Sequence, residues 1–221
     1  MNLKFNTVPL LLFYLVFSMP KLCTQTNLPR TIITTDGEID DVDAFIRMLL
    51  YANEFKIEGL IYSSSMWHYK GDGKGTKFIS EMDMTKRIYG EKTDLRWPGT
   101  QWMEGLIDQY EKVYPHLILH DKQFPRADYL RSKIRIGNID FEGEMDYDTE
   151  GSNFIKKILL DENAKPIFLQ AWGGTNTIAR ALKSIEDQNV KTSDWEKLKK
   201  RISENQSFIL SLIKTQLIKN T

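Results

Sequence analysis

Hydrophobic and polar positions fall into blocks along the chain, and the blocks have the spacing of strands and helices. Residues 31–35 are mostly β-branched, which is typical of a buried strand. Apolar residues then recur at helical spacing and predict an amphipathic helix, with an apolar stripe of Val42, Phe45, Ile46, Leu49 and Leu50. A second apolar run, residues 57–62, predicts another strand. Strand, helix and strand form a βαβ unit, so we expect these strands to be parallel.

The same alternation returns toward the C-terminus. The further predicted elements are a helix marked by Trp102, Leu106, Tyr110 and Val113, a short strand at Ile134–Ile136, a helix with Phe154, Ile155, Ile158 and Leu159, a strand at residues 166–171, and a helix with Ile178, Ala181, Leu182 and Ile185. This order predicts an α/β fold built on a mostly parallel open sheet.

The N-terminus has a different pattern. A basic start at Lys4 precedes an apolar run at residues 8–17, which Pro9 interrupts. The run is too short to cross a bilayer, which takes about 20 apolar residues, and is typical of a secretory signal peptide. We therefore predict that residues 1–25 are a signal peptide and that the mature protein is secreted or exported. A buried first element is the alternative, which Pro9 and the flanking lysines disfavour.

Composition narrows the function. The chain of 221 residues is long enough for one domain, and its 30 basic residues balance 30 acidic ones. Without a basic surface, nucleic acid is not an expected partner, and no membrane span is expected. The single cysteine, Cys23, lies at the edge of the predicted signal peptide, so disulfides and thiol catalysis are excluded from the mature domain.

Four carboxylates lie within six residues, between the first predicted strand and its helix: Asp36, Glu38, Asp40 and Asp41. They repel one another, and the helix dipole offsets only about 0.3–1 kcal/mol per acid. Asp40 or Asp41 is explained as a helix N-cap. A cation explains the others, and because no cysteine or histidine is near in the sequence, Ca²⁺ or Mg²⁺ fits better than zinc.

Helical spacing also predicts where these acids point. Asp41 shares an i, i+4 stripe with Phe45 and Leu49, so it should face the sheet, whereas Asp43 should lie on the surface and pair with Arg47.

Three loops should meet at one rim of the sheet, because ligands gather at the carboxyl ends of parallel strands. The loops are residues 36–41, 63–68 and 172–176, each of which follows a predicted strand. An EF-hand is excluded because it would need glycine at Asp41 and glutamate at Arg47. Residues 71–76 lack the Gly-Lys-Ser/Thr ending of a phosphate-binding loop and are interpreted as a plain turn.

The motifs resemble a known family. Thr-Thr-Asp36-Gly-Glu-Ile-Asp40-Asp41 resembles the N-terminal aspartate motif of nucleoside hydrolases, and the Gly-Gly-Thr-Asn-Thr-Ile-Ala segment at residues 173–179 is similar to their later Gly-Pro-Leu-Thr-Asn-Ile-Ala segment. A branch described as nucleoside-hydrolase-like and cellulose-binding is the better match, on residues 58–65, Trp67-His68, residues 148–152 and residues 170–177. The resemblance runs over residues 29–203 and implies a sheet with helices on both faces.

The resemblance also implies roles for single residues. Asp36 would be a metal ligand and the base that deprotonates the attacking water, and Asp40 would hold ribose hydroxyls. Asp41 would be a bidentate Ca²⁺ ligand, with the Trp172 carbonyl as a further ligand. The implied activity is Ca²⁺-dependent hydrolysis of an N-glycosyl bond, in a small-molecule nucleoside or related glycoside.

Several departures from the family favour a second hypothesis. Glu38 stands where glycine is usual, residues 63–65 replace an asparagine, and no aspartate follows Asp194. These departures favour a non-catalytic domain that binds a carbohydrate such as a cellulose-like glycan, whereas the intact aspartates favour a hydrolase. A purely structural exported domain leaves the carboxylates unexplained. Whether the protein forms a homo-oligomer is open.

Other polar residues have two interpretations each. Trp67 and His68 would bind a sugar by stacking and hydrogen bonding, or simply pack beside the loop. Asn176 is a helix cap or a substrate ligand. Pro115 is predicted to break the helix before His116 and His120, which would exclude a metal pair there. The alternating acids at residues 142–150 are predicted to be a solvated face.

The C-terminus, residues 204–221, is atypical. Its apolar and basic stretch, residues 208–219, contains no carboxylate, although the resemblance implies an acidic metal loop. We expect a truncated chain with a foreign end, produced by a frame slip, and therefore an incomplete sheet, weak Ca²⁺ binding and little turnover. The alternative is a genuine terminal helix, because Ile209, Leu212, Ile213 and Leu217 have helical spacing.

Overall fold

A computed structural model of the chain describes residues 28–163 and 165–210, with side chains up to residue 204. The predicted signal peptide and residues 211–221 lie outside the described residues. Secretion, the frame slip and the truncation therefore stay predictions.

The core of the fold is a sheet of five parallel strands. These are β1 (Arg30–Thr35), β2 (Lys56–Tyr62), β3 (Ile134–Ile136), β4 (Ile167–Ala171) and β5 (Gln206–Leu210). The order across the sheet is β3-β2-β1-β4-β5, so the chain starts in the middle and builds outward in both directions. The predicted α/β fold with a parallel open sheet is confirmed.

Helices connect the strands. Within the described residues they are α1 (Ile39–Leu50), α2 (Asp83–Tyr89), α3 (Trp102–His120), α4 (Ala127–Arg131), α5 (Glu150–Leu159), α6 (Asn176–Asn189) and α7 (Trp195–Asn205), with a 3₁₀ turn at Ala52–Glu54. None of the described helices is long and apolar enough to cross a membrane.

Neighbouring residues of each strand belong to different cores, because side chains alternate across a sheet. Ile33 and Leu60 pack with α1, α3 and α4 on one face. Ile32 and Ile61 pack with α5, α6 and α7 on the other face. Helices therefore cover both faces of the sheet, as the resemblance implies.

The buried stripe of α1 differs in part from the prediction. Asp41, Phe45, Met48 and Leu49 are buried, whereas Ile46 and Leu50 are 41% and 49% exposed. Residues 46 and 50 lie one position beyond the i, i+4 stripe, at about 100° around the helix, and so face outward. Asp41 does face the sheet, and Asp43 is exposed, as predicted.

The predicted break at Pro115 is wrong. Helix α3 runs through Pro115 to His120. Pro115 lies on an exposed part of the helix, where water can satisfy the carbonyl group that loses its N–H partner. His116 and His120 are therefore exposed one turn apart on the same helix, a spacing at which two histidines can bind one metal ion.

The end of the described chain is a strand rather than a helix. Ile209 and Leu210 belong to β5, and Leu210 lies opposite Ala171 of β4. The terminal-helix alternative is wrong for these two residues. The predicted domain end at residue 203 falls inside α7.

A buried ion pair lies at the amino ends of the central strands. Arg30, which is 4% exposed, donates from Nε to Glu58 Oε1 at 3.0 Å and from Nη2 to Asp161 Oδ2 at 2.7 Å. Arg30 opens β1 and Glu58 lies in β2, so this pair is at the end of the sheet opposite to the carboxylate cluster.

Candidate functional site

The predicted meeting of three loops at one rim is confirmed. Asp36 follows β1 directly, and His68 Nδ1 of the loop after β2 lies 3.6 Å from Asp36 Oδ2. The loop after β4 is packed so closely that a Cβ atom on Gly173 would lie 2.6 Å from Asp36 Cγ. A Cβ atom on Gly174 would overlap the carbonyl oxygen of Ser64. Glycine at both positions therefore allows the loops to converge around Asp36.

Asp41 is fixed beside Asp36 by hydrogen bonds. Its Oδ2 accepts from Thr35 Oγ1 at 2.5 Å and from the Asp36 amide at 3.3 Å. The N-cap of α1 is Glu38, which makes no side-chain cap bond, so the predicted capping role of Asp40 or Asp41 is wrong. Both aspartates lie in the first turn of the helix instead.

The two buried carboxylates influence each other's protonation. Burial, followed by the hydrogen bond and charge of Asp36, raises the pKa of Asp41 to about 8. Burial opposes ionisation of Asp36 as well, but His68, Asp41 and Ser65 outweigh it and lower the pKa of Asp36. In the absence of a cation the pair is therefore stable with one negative charge and one proton. A divalent cation is the other way to offset two such charges, so these residues fit Ca²⁺.

Asp40 keeps an unused acceptor. Its Oδ1 is buried and has no hydrogen-bond partner among the described residues. A buried carboxylate oxygen without a donor is costly, and a bound hydroxyl group or water would supply the donor.

His68 belongs to the carboxylate cluster, which the sequence did not reveal. Ligand atoms of Asp36, Glu38 and His68 all lie within 4.8 Å of one another. The interpretation that no histidine is near the carboxylates is therefore wrong in three dimensions. The signal was available: His68 lies in the loop after β2, and parallel strands bring that loop beside the loop after β1.

Trp67 lies in a second layer of aromatic and basic side chains. Its ring meets Tyr89 edge to face, with the centroids 6.4 Å apart. Arg96 donates to the Tyr89 hydroxyl at 3.4 Å and lies 3.9 Å from Glu38 Oε1. Arg96 has φ 44°, a left-handed conformation that no other non-glycine residue adopts in the described chain. Sequence reasoning missed both Tyr89 and Arg96, because neither belongs to a motif.

Comparison with known proteins decides the family. The family described as "Cellulose-binding Sde182, nucleoside hydrolase-like domain" matches residues 30–207. The chain belongs to this family.

One solved structure resembles the nucleoside-hydrolase-like domain in fold. It is described as a nucleoside hydrolase-related hypothetical protein from Saccharophagus degradans that is associated with carbohydrate metabolism. The TM-score is 0.63 at 23% sequence identity, over 83% of this chain and 38% of that protein. The likeness shows the fold, and this chain spans little more than a third of the other protein's length. No curated protein matches the chain.

Asn176 ties the loops of the nucleoside-hydrolase-like domain together. It is buried at the start of α6, and its Oδ1 accepts from Ser63 Oγ at 2.7 Å. Its Nδ2 donates to Ser64 Oγ and to the Asn138 carbonyl, each at 2.9 Å. The N-cap is Thr175, so Asn176 is not the cap. A direct contact of Asn176 with substrate stays a prediction.

Trp172 packs into the core beside the rim. Its backbone amide donates to the Thr34 carbonyl at 2.9 Å, and its indole Nε1 donates to Gln170 Oε1 at 3.2 Å. The amide bond holds the turn after β4 against β1, and the indole bond fixes the ring beside β4. The metal contact of the Trp172 carbonyl stays a prediction.

The acidic loop is not simply a solvated face. Asp148 accepts from Arg180 Nε at 2.5 Å and from Lys156 Nζ at 3.0 Å. Glu144 accepts from Asn138 Nδ2 at 3.3 Å. The solvated-face prediction is therefore wrong for Asp148 and Glu144, because both carboxylates bind donors from outside the acidic loop.

Proposed function

We propose that this nucleoside-hydrolase-like domain is a Ca²⁺-dependent hydrolase of N-glycosyl bonds, acting on a ribonucleoside or a related glycoside. The observation that supports the proposal is the buried pair Asp36–Asp41 at the carboxyl ends of the strands. Two buried carboxylates this close together repel each other unless a cation or a proton lies between them. Asp36 and Asp41 would hold the ion, with the Trp172 carbonyl as a further ligand.

Asp36, Asp40 and Trp67 would have separate roles in the reaction. Bound Ca²⁺ supplies positive charge that polarises a water molecule and orients the sugar. Asp36, whose pKa is lowered and which is therefore ionised at neutral pH, accepts the proton of the attacking water at a carboxylate oxygen. Asp40 accepts a hydrogen bond from a sugar hydroxyl at its unpartnered Oδ1. Trp67 offers a half-buried ring for the apolar face of the sugar.

A second candidate is a carbohydrate-binding domain without turnover. The observation that favours it concerns the serines that replace the family's asparagine. Ser63 donates to Asn176 Oδ1, and Ser64 donates to the Phe141 carbonyl at 2.7 Å. Both hydroxyl groups are thus used within the protein, which leaves fewer polar groups for a transition state. The cellulose-binding description of the family agrees with a glycan ligand. Export through the predicted signal peptide would bring the domain to an extracellular nucleoside or glycan.

Calorimetric titration of the full chain with CaCl₂ tests the cation. We expect binding that Asp41→Asn weakens at least tenfold, and that the matched control Asp43→Asn leaves unchanged, because Asp43 is exposed on the same helix. If neither variant loses Ca²⁺ binding, Asp41 is not a ligand of the ion.

Incubation of the Ca²⁺-loaded chain with nucleosides and with cello-oligosaccharides then separates the two candidates. Release of free base or ribose that Asp36→Asn abolishes supports the hydrolase. Binding of cello-oligosaccharides without any product supports the binding domain.

A further inference from the structure

His68 contains a buried nitrogen without a partner. The residue is 4% exposed, and its Nδ1 makes no hydrogen bond to any described residue. Buried imidazole nitrogens are nearly always satisfied, because an unpaired polar atom loses its hydrogen bonds to water without gaining any in the protein. A ligand that reaches Nδ1 would remove this cost.

A carboxylate beside the imidazole indicates the kind of ligand. His68 Nδ1 and Asp36 Oδ2 are 3.6 Å apart, which is too long for a hydrogen bond. The separation is ordinary for two ligands that share one metal ion, each at about 2.1 Å from it. Glu38 supplies a third ligand atom within 4.8 Å of the other two. We propose that Asp36, Glu38 and His68 form a binding site for a transition-metal ion such as Zn²⁺ or Mn²⁺.

The ligand types set the preference. Ca²⁺ takes oxygen ligands, whereas an imidazole nitrogen suits zinc and the neighbouring transition metals. The site shares Asp36 with the proposed Ca²⁺ site, but it uses His68 and Glu38 in place of Asp41 and the Trp172 carbonyl. It stands on the geometry of the three side chains and does not depend on hydrolase activity.

Glu38 is free enough to serve as a ligand. Its charged neighbour Arg96 is 46% exposed at the side chain and lies 3.9 Å away, so their pairing is weak. Glu38 also makes no side-chain cap bond to α1. An ion therefore competes for this carboxylate only with a loose surface ion pair.

The test is a calorimetric titration of the full chain with ZnCl₂. The exposed pair His116 and His120 on α3 would bind zinc on its own, so all variants carry His116→Ala and His120→Ala. We expect one Zn²⁺ per chain in this background. His68→Ala and Glu38→Gln should each weaken binding at least tenfold, and Asp41→Asn should change it by no more than a few fold.

Cobalt gives an independent readout. Bound Co²⁺ should show a visible absorption band that changes when His68 is replaced, because the band depends on the identity and geometry of the ligands, of which the imidazole nitrogen is one. Circular dichroism establishes that each variant folds, and if His68→Ala does not, Glu38→Gln decides. Unchanged Zn²⁺ affinity in the folded variants, or no binding in the background chain, would overturn the proposal. Ca²⁺ titrations of the same variants distinguish the Zn²⁺ site from the proposed Ca²⁺ site. A variant that loses Ca²⁺ binding but keeps Zn²⁺ binding, as expected for Asp41→Asn, bears only on the proposed hydrolase.

Discussion

The backbone of Gly173 passes directly over the carboxylate of Asp36, and a single Cβ atom at residue 173 would lie 2.6 Å from Asp36 Cγ. The loop after β4 therefore packs against the Asp36 carboxylate and limits where this carboxylate can lie.

Gly173→Ala should therefore disturb both folding and cation binding. The added methyl group must push Asp36 or the loop aside, and overpacking of this kind costs about 1–3 kcal/mol. We expect lower stability in urea unfolding and weaker Ca²⁺ binding in calorimetry. Gly105→Ala is the control, because this residue lies in α3 with nothing within 4 Å of its Cβ position. It should be neutral or stabilising by about 0.5–1 kcal/mol, and an equal loss in both variants would contradict the packing argument.

Trp67→Ala should weaken glycan binding and leave Ca²⁺ binding intact. Loss of the ring removes a stacking surface worth about 0.5–1.5 kcal/mol, or roughly a twofold to tenfold change in affinity. Affinity electrophoresis in soluble glucan, with Ca²⁺ titration alongside, measures both effects. Tyr51→Ala is a matched control, because Tyr51 is an exposed aromatic residue at the far end of α1, about 18 Å along the helix from the site. Equal retardation of the wild type and Trp67→Ala would exclude Trp67 from the binding surface.

Asp148 should make stability depend on acid pH. Burial alone would raise its pKa, but hydrogen bonds from Arg180, Lys156 and Ser184 outweigh burial and lower the pKa to about 2. Because the folded pKa lies below the ordinary value of 3.8, the contribution is complete above about pH 4 and is lost as the pH falls toward 2.

Thermal unfolding between pH 7 and pH 2 measures this contribution. Asp148→Asn should be less stable by about 1–2 kcal/mol at pH 7 and show a flatter profile in acid. The control Asp146→Asn changes an exposed acid of the same loop and should follow the wild-type curve. A steep acid profile retained in Asp148→Asn would assign the dependence to another group.

Arg30→Met should destabilise the domain strongly. It leaves the buried Glu58 with only Lys56, whose side chain is 53% exposed, as a cation at 2.9 Å. Breaking one partner of a buried pair costs about 3–5 kcal/mol, of which Lys56 offsets a part. The double variant Arg30→Met, Glu58→Met should recover much of this loss in urea unfolding, because no buried charge remains unpaired. If the double variant is as unstable as the single one, the cost arises from packing rather than from charge.

Local patterns are sufficient for strands β1 to β4, for helices α1, α3, α5 and α6, and for one half of the site, whereas α2, α4, α7 and β5 are not predicted. The β-branched run at residues 31–35 predicts β1 and the apolar run at residues 57–62 predicts β2. The i, i+4 stripe from Phe45 to Leu49 predicts that Asp41 faces the sheet. These features depend only on residues close together in the chain. The prediction for Ile46 is wrong because hydrophobic spacing does not distinguish an apolar residue within a buried stripe from one beside it.

The other half of the site depends on which loops meet. His68 lies beside Asp36 because β2 pairs with β1, and Asn176 bonds Ser63 because β2 and β4 flank β1, so that their loops meet at its carboxyl end. Arg96 reaches Glu38 from a loop with an unusual backbone conformation that no short motif encodes. Hydrophobic spacing predicts which side of an element is buried, but it does not predict which residues of other elements contact that side.

The pairing of β1 with β4 has a consequence for how the domain forms. Thr31 Oγ1 donates to the Phe168 carbonyl, and the two residues are 137 positions apart in the sequence. Closing so long a loop is slow, because its entropy must be lost before the contact is made. The first βαβ unit carries Asp36, Asp41 and His68, and the loop after β4 completes the rim only when β4 joins β1. A cation that binds only the assembled rim would act after this slow step, retarding unfolding more than it accelerates folding.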